Sequence, residues 1–560
     1  METDPRSPVC LAPHFSFLPI DSSKGQIRLL KIEPGRDGEV IQCSYRLTTV
    51  NGDIQYETLS YVWGNLNANR SIVVEGTEVD ALCINQEDSA EKMAQVDMMH
   101  KIFSECARCY MWMGAIDAAS LNMTESEAFE AASGGLDAIR LLSGEDPEWK
   151  LPPSLTTYAQ RRKAGSAIVS LMHTPWWQRI WTVQEATSPK RASVLWGPLS
   201  LPWSYMTRTA ERLIGGEWPP SDRLVLSDLF DNYSFFTSPM LALIWAARWI
   251  EAPHGPYDML YRFRYRRSTD PRDKVYVILN LVAEGTYPLP SVRSSDYAVP
   301  TADLYRRVML DLLRHEHGLR PLIGFRGEPK SVPGLPSWVV DWSTAPEGQD
   351  KAAFWEHSKF WYKYTADRGL PMLDTGRMTW PEHGDDVLSV NGVFFEKILA
   401  CSDIMSQDDS EEHLEGMARE VIAKALAEDP RFRVISEVYW QAALGDILEG
   451  NYADLNEHLE GVTGDEYWRN EMLRDQRLFI TENGAVGLDP SGTSVGDEVW
   501  VLSGGRSPFL LGPLNKSDVD VKGEDWSCHY TFRGDVFIPG IMNGEAVNSR
   551  IDTQRFVHIH

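Results

Sequence analysis

Short apolar runs separated by Gly, Pro and Asn residues dominate the beginning of the chain and predict β-strands. Such runs lie at 26–31, 40–47, 56–64 and 72–76. Longer segments with apolar residues at helical spacing follow. They predict helices at about 88–106, 126–142 and 156–172, with buried strands at 109–114 and 193–197. Strands that alternate with helices of this length predict an α/β fold with a parallel sheet and crossover helices.

Several helix starts carry residues that are typical of caps. Asp88 and Glu91 precede an apolar periodic run, so we predict that they form a capping box. Thr174, followed by Pro, predicts the N-cap of a helix that carries the string WWQRIWTVQEA. Asp270 and Asp273 open the apolar run KVYVILNLV, and we predict that they are its N-cap and capping-box acid.

The remaining chain is predicted to be mainly helical at first and to end in β structure. Residues from about 200 to 385 read as mainly helical, and 404–475 as acidic and helical. Apolar alternation between Gly and Pro turns at 387–395, 496–504, 508–513 and 534–546 predicts a small antiparallel sheet or barrel. The predicted organisation is a mobile N-terminus at 1–24, an α/β domain with preceding strands at 25–200, a helical region at 201–385, and acidic helices with a β subdomain at 386–560.

Composition narrows the class of protein. The chain has 560 residues, more than one ordinary core accommodates. Its net charge of −26 disfavours binding to nucleic acid and to anionic membrane surfaces. Seven cysteines suit a reducing compartment, and no apolar run approaches the roughly 20 residues of a membrane span. We expect a cytoplasmic protein.

Four strings occur in a fixed order, YETLSYVWG (56–64), ALCINQ (81–86), YMWMG (110–114) and WQRIWTVQE (177–185). In this order they resemble the fungal heterokaryon incompatibility (HET) domain, which implies protein partners. The resemblance covers about 56–190, and DPRDKVY (270–276) is similar to the downstream region of HET-domain proteins. It implies fungal non-self recognition in which activation, through self-association of this domain, leads to growth arrest or cell death. It also implies a TIR-like parallel sheet of roughly five strands flanked by helices.

The chain departs from this family before the ALCINQ string, where members usually carry an additional helix and strand. Here IVVEGTEV (72–79) runs almost directly into Ala81. Neighbouring parallel strands need a crossover of about a dozen residues, so 72–76 and 81–84 cannot be such a pair. They form either a tight hairpin or one continuous strand, or else the chain lacks a helix through splicing, a gene-model error or allele decay. We favour a missing segment.

Glu185 is the candidate catalytic residue. It follows Trp181 by four residues, a pattern similar to that of TIR domains that cleave NAD, where the Glu contacts the ribose. A carboxylate can stabilise the oxocarbenium-like centre of glycosidic cleavage. The alternative, which we favour, is that Glu185 is a conformational acid paired with Arg179 or a backbone amide.

Five further residues are candidates for ligand binding. Ser60 and Tyr61 follow the first strand of the sheet, and Asn85 and Gln86 follow the ALCI string. Ligands of such sheets bind beyond the carboxyl ends of the strands, so these side chains would line the same crevice. Arg179, from the string that carries Glu185, completes the set.

Two other patterns have a simpler interpretation as core. The Trp residues of the four strings could stack on a ligand, but large aromatic side chains more often fill cores; they are Trp63, Trp112, Trp177 and Trp181. Cys106 and Cys109 have metal-like spacing without a second pair nearby, so we expect two buried thiols. We expect no metal and no cofactor, with NAD as a possible substrate.

Three interpretations of function follow. The first is a non-enzymatic signalling module in which the HET domain is the effector and the helical and β regions sense or regulate. The second is an NAD glycohydrolase that uses Glu185. The third is an inactive variant that lacks a helix at the 76–81 junction.

Overall fold

The protein has a mixed α/β fold, as predicted, and divides into two compact units. The first combines Met1–Pro253 with Arg266–Pro288 and Arg293–Val299, and the second combines His254–Tyr265, Leu289–Val292 and Pro300–His560. The computed structural model describes residues 17–36, 38–62, 72–74, 77–79, 83–85, 88–145, 151–215, 227–229, 234–248, 256–279, 281, 289–324, 330–344, 364–372, 374–375, 378–379, 386–405, 411–429, 476–490, 492–515 and 526–560.

The described strands and helices are numbered in chain order. The strands are β1 (Gln26–Ile32), β2 (Gln42–Thr49), β3 (Glu57–Ser60), β4 (Ile72–Val74), β5 (Thr77–Val79), β6 (Arg108–Trp112), β7 (Ala192–Trp196), β8 (Leu199–Pro202), β9 (Leu388–Cys401), β10 (Gln476–Thr481), β11 (Val486–Pro490), β12 (Glu498–Leu502), β13 (Phe509–Pro513), β14 (His529–Asp535) and β15 (Arg555–Ile559). The helices are α1 (Ser89–Ser104), α2 (Glu125–Ser143), α3 (Tyr158–Met172), α4 (Thr182–Thr187), α5 (Trp203–Gly215), α6 (Ser234–Arg248), α7 (Pro256–Phe263), α8 (Asp273–Leu279), α9 (Thr301–Glu316), α10 (Glu411–Glu428) and α11 (Glu545–Arg550).

A sheet in the order β3-β6-β7-β8 forms the centre of the first unit. The strands β3, β6 and β7 are parallel, and β8 returns antiparallel to β7. The chain passes through α1 between β3 and β6, and through α2, α3 and α4 between β6 and β7. The parallel strands and crossover helices predicted from the alternation of elements are therefore present. Among the described strands, β3 lies at the edge of this sheet.

The second sheet of this unit contains the unusual junction. Its order is β1-β2-β4-β5, with β4 parallel to β2 and antiparallel to β5. Ile72 pairs with Val79, so 72–79 form a tight hairpin. The hairpin lies earlier than the 72–76 and 81–84 pairing that we considered. Cys83 begins a bend rather than continuing a strand, and Ala81 lies outside the described residues.

The predicted cap of α1 is half right. The Asp88 carboxylate accepts hydrogen bonds from the backbone N–H groups of Ala90 and Glu91, both at 3.0 Å. The Glu91 side chain does not complete a capping box but forms two hydrogen bonds of 2.6 Å with Arg28. Arg28 is buried, and a buried guanidinium is costly without a carboxylate partner, whereas a helix N-terminus can be hydrated.

The helix predicted from Thr174 is confirmed only at its start, where Thr174 occupies the N-cap position and Pro175 the first position of a short 3₁₀ turn. The chain forms a 3₁₀ turn at Pro175–Gln178, becomes extended at Arg179, and begins α4 only at Thr182. The Thr174 hydroxyl donates to a carbonyl of the preceding helix instead of capping. The break has a physical cause, because the Ile180 N–H donates to the Arg267 carbonyl at 2.9 Å and Arg179 pairs with Arg267 as a parallel bridge. A backbone that pairs laterally cannot also continue a helix.

The second unit contains the predicted C-terminal β structure as a closed barrel. The strands follow the order β9-β12-β13-β14-β15, and β15 pairs back onto β9. All neighbours are antiparallel except β14 and β15. Three barrel strands contribute Phe394, Trp500 and Tyr530, whose rings meet edge to face at 5.7 and 5.6 Å. The predicted run at 534–546 is wrong beyond Asp535, because turns with glycines at positive φ lead into α11. None of the helices within the described residues is long and apolar enough to cross a membrane.

Candidate functional site

A chain of three buried side chains forms the centre of the candidate site. Ser60 ends β3, at the carboxyl edge of the parallel strands, and its hydroxyl donates to Glu185 Oε2. The Trp176 indole N–H donates to the same Ser60 oxygen at 2.7 Å. The exposed fractions are 1% for Ser60, 6% for Glu185 and 0% for Trp176. The Glu185 carboxyl group is thus almost fully buried. It accepts a hydrogen bond from the Ser60 hydroxyl, and the Trp176 indole holds that hydroxyl in place.

Burial raises the pKa of Glu185 above its usual value. The Ser60 hydrogen bond and the positive charges of Arg179 and Arg266 oppose this shift but do not cancel it. The physical reason is that a carboxylate loses more solvation in this position than one hydroxyl and two cations return. The arrangement therefore shifts the protonation equilibrium of Glu185 towards the neutral acid, relative to a carboxyl group in water.

Arg179 and Tyr61 lie on the more exposed side of the same site. The Arg179 guanidinium donates to the backbone carbonyl of Tyr61, directly after Ser60 in the chain. The Tyr61 side chain is 41% exposed, although desolvation still raises its pKa. The predicted pairing of Glu185 with Arg179 thus takes another form, in which Arg179 holds the β3 end and acts on Glu185 through its charge.

Asn85 lies in a neighbouring bend and has a different partner. Its backbone N–H donates to Glu91 Oε1 at 2.7 Å, and the buried Arg28 donates to the Cys83 carbonyl at 2.9 Å. Burial raises the pKa of the Cys83 thiol to about 11. The structure brings Ser60, Tyr61, Arg179 and Glu185 together as predicted. Gln86 lies outside the described residues.

Two family models match the chain on either side of its middle. Residues 79–185 match the heterokaryon incompatibility protein (HET) family and residues 436–557 match the Het-6 β-barrel domain. Heterokaryon incompatibility protein 6, OR allele, of Neurospora crassa is 22% identical over 84% of this chain and 81% of the relative. The chain therefore contains a region that matches the HET domain and a region that matches the Het-6 β-barrel domain. No solved structure matches it.

The HET match contains α1, β6, α2, α3 and the string that carries Glu185. Ser60 lies before the matched residues but reaches Glu185 through the fold. The barrel match likewise begins after β9, the strand that closes the barrel.

Among the described Trp residues of the four strings, the expected core position is confirmed for Trp177 but not for Trp112, and Trp181 is half-buried. Trp177 is buried, meets the Trp176 ring at 83° and stacks on Trp203 with 6.0 Å between centroids. Trp112 is 36% exposed at the end of β6, and Trp63 lies outside the described residues. The two thiols are buried as expected; they belong to Cys106 and Cys109.

Sequence reasoning missed the contacts that surround Trp181. Its indole N–H donates to Asp273 Oδ2 at 3.1 Å, and the Tyr297 hydroxyl donates to Asp273 Oδ1 at 2.6 Å. The predicted role of Asp273 as a capping-box acid is therefore wrong, because an indole and a phenol supply its hydrogen bonds. Asp270 accepts the Arg272 N–H at 3.0 Å, close to the predicted capping role. An acid at the start of a buried and mainly apolar helix was the available signal.

No group of three or more His, Cys, Asp or Glu side chains is arranged to hold a metal ion within the described ranges. The polar groups that the described residues bring to the candidate site are the side chains of Glu185, Ser60 and Arg179 and the Tyr61 backbone carbonyl.

Proposed function

We propose that this HET-domain protein acts in fungal non-self recognition, with the HET domain as the effector whose activation leads to growth arrest or cell death. The observation that carries the proposal is the presence of both a HET match and a Het-6 β-barrel match in one chain that aligns along most of its length with Neurospora heterokaryon incompatibility protein 6. In this proposal the second unit senses or regulates, and self-association of the HET domain is the trigger.

A relationship to TIR domains is part of this proposal. It is supported by three parallel strands joined through helices, and by polar side chains that gather at the carboxyl end of β3. A cytoplasmic location is proposed on the same grounds as the function.

A second candidate function is NAD glycohydrolase activity with Glu185 as the essential acid. The cluster of Glu185, Ser60 and Arg179 beside the exposed Tyr61 supports it. The burial of Glu185 argues against this candidate function, because the side chain would have to leave Ser60 before it could contact a ribose. We therefore rank signalling without catalysis first.

The third candidate, an inactive variant, is supported by the 72–79 hairpin and by the edge position of β3, since a helix and strand inserted there would extend the sheet. Sequencing the transcript across codons 76–81 tests it. A continuous read would remove the gene-model and splicing versions.

The function is tested by inducing the full chain in a filamentous fungal host while growth and NAD are followed over hours. We expect growth arrest with intact NAD, in the unmutated chain and in the Glu125→Gln control, whose glutamate is exposed on α2. Loss of NAD that disappears in Glu185→Gln would support the enzyme instead. A soluble, folded chain that leaves growth unaffected would contradict the signalling proposal.

A further inference from the structure

Two segments that follow Glu185 by 80 residues or more pack within the first unit, although the chain on either side of them belongs to the second. We call residues 266–279 and 293–299 the strap. We propose that the strap holds α4, and thereby positions Glu185 against Ser60. The proposal concerns the same site as the proposed function, and its structural part stands without it.

The first contact fixes the chain that enters α4. The Ile180 N–H donates to the Arg267 carbonyl at 2.9 Å, in place of a helical partner. The fully buried guanidinium of Arg266 donates to Thr182 Oγ1 at 2.6 Å and to the Arg179 carbonyl at 3.3 Å. Both strap residues thus bind backbone or side chain at the first residue of α4 and just before it.

The second contact involves the N-cap of α4, Trp181, and Gln184, the residue before Glu185. Trp181 donates to Asp273 at 3.1 Å, and the buried Gln184 amide donates to the Val277 carbonyl at 2.7 Å. Asp273 lies in the first turn of α8, and its second oxygen binds Tyr297 from the far part of the strap. One carboxylate therefore joins α4 to both parts of the strap.

The third contact ties the strap to α1. The Ser295 hydroxyl and N–H both donate to Asp97, at 2.6 and 2.8 Å. The ring of Tyr297 lies between two cations, with Lys92 at 4.8 Å and Arg272 at 5.3 Å from its centroid. The strap is thereby attached to α1 as well as to α4. These contacts fix the position of Tyr297, which in turn holds the Asp273 carboxylate.

Such support is needed because α4 has only six residues. A helix of that length is unstable by itself in water and depends on tertiary contacts. Asp273 is therefore a positioning residue, which acts on Glu185 through Trp181 and α4. Both ends of the strap continue along the chain into the second unit.

The test is amide hydrogen exchange on the full chain, read in peptides that cover 176–187. Asp273→Ala and Trp181→Phe should each speed exchange of α4 by about tenfold, since each removes the same buried hydrogen bond to a charged group. The double variant should be no faster than the faster single variant, because the two residues form one contact. Asp273→Asn, which keeps an acceptor for the indole, should restore most of the protection.

The matched control is Asp296→Ala, which removes an exposed strap carboxylate whose partner is the Ala298 N–H. It should leave α4 exchange unchanged. Unchanged exchange in Asp273→Ala, or an equal increase across α2 and α3, would overturn the proposal. In the growth assay Asp273→Ala should weaken arrest. If the unmutated chain does not arrest growth, the proposed function fails, while the exchange data still decide the role of the strap.

Discussion

At the scale of single residues, the most informative group is a glutamic acid whose burial outweighs its partners. The folded pKa of Glu185 is raised, so between the unfolded pKa near 4.5 and the folded pKa the native state binds more protons than the unfolded state. The free energy of unfolding therefore loses a contribution from Glu185 as pH rises through this window. At pH values below this window Glu185 is neutral in both states, so its contribution to the free energy of unfolding should equal that of a glutamine.

We predict that Glu185→Gln becomes progressively more stable than the unmutated chain as pH rises above about 4.5. The glutamine keeps an oxygen that can accept the Ser60 hydrogen bond but never carries the buried charge. Urea unfolding of both proteins at a series of pH values measures the difference. A difference in unfolding free energy that does not change with pH would show that Glu185 has an ordinary pKa.

The buried pair of Arg28 and Glu91 permits a second prediction at this scale. Glu91→Ala leaves a guanidinium buried without its carboxylate, and we expect it to lower the free energy of unfolding by about 3 kcal/mol. The control is Glu33→Ala, whose pair with Lys31 is 35% and 48% exposed and should contribute less than about 1 kcal/mol. Denaturation followed by tryptophan fluorescence measures both. Equal losses of unfolding free energy in the two variants would contradict the burial of the Arg28 and Glu91 pair.

The sequence could predict that Ser60 and Tyr61 lie at the carboxyl edge of the sheet, because residues after parallel strands share one edge. The candidate role of Glu185 came instead from the resemblance to TIR domains. The sequence could not predict the partners of Glu91 and Asp273. Local spacing suggested helix caps in both cases. The actual partners are distant in the sequence, because Arg28 lies more than 60 residues from Glu91 and Trp181 more than 90 residues from Asp273.

At the scale of elements, one close approach between α3 and the chain after α5 depends on a glycine. A Cβ added at Gly165 would lie 2.0 Å from the Leu229 carbonyl oxygen, so the backbones would have to separate. We predict that Gly165→Ala destabilises the protein by about 1–3 kcal/mol despite the better helix propensity of Ala.

Gly416 supplies the opposite case, because it lies within α10 and an added Cβ there meets nothing within 4 Å. We expect Gly416→Ala to stabilise α10 by about 0.5–1 kcal/mol. Thermal unfolding of the two variants should shift in opposite directions. Shifts of the same sign would mean that helix propensity, rather than the space around each glycine, decides the outcome.

Most elements were predictable, since strands β1, β2, β6 and β7 and helices α1 to α3 follow apolar periodicity. The break between Pro175 and Thr182 was not, because the same residues are compatible with a continuous helix. Only the lateral pairing with Arg267, far along the chain, selects the extended form.

At the scale of the whole molecule, chain order and spatial order differ. The sequence placed a domain border near 200, whereas α5, α6 and the strap also belong to the first unit. A fragment of residues 1–253 retains Trp203 against Trp177 but lacks Arg266, Asp273 and the Val277 carbonyl. We predict that this fragment shows helical far-UV circular dichroism with a weak near-UV signal, because packing around α4 is incomplete.

Adding a peptide of residues 266–299 in trans should strengthen the near-UV signal of that fragment and make its unfolding more cooperative. The same peptide with Asp273→Ala should do so less, since it cannot accept the Trp181 indole hydrogen bond. A fragment that unfolds sharply and shows a full near-UV signal without the peptide would mean that the first unit is complete before the strap. The strap would then be an addition to the HET domain rather than part of its structure.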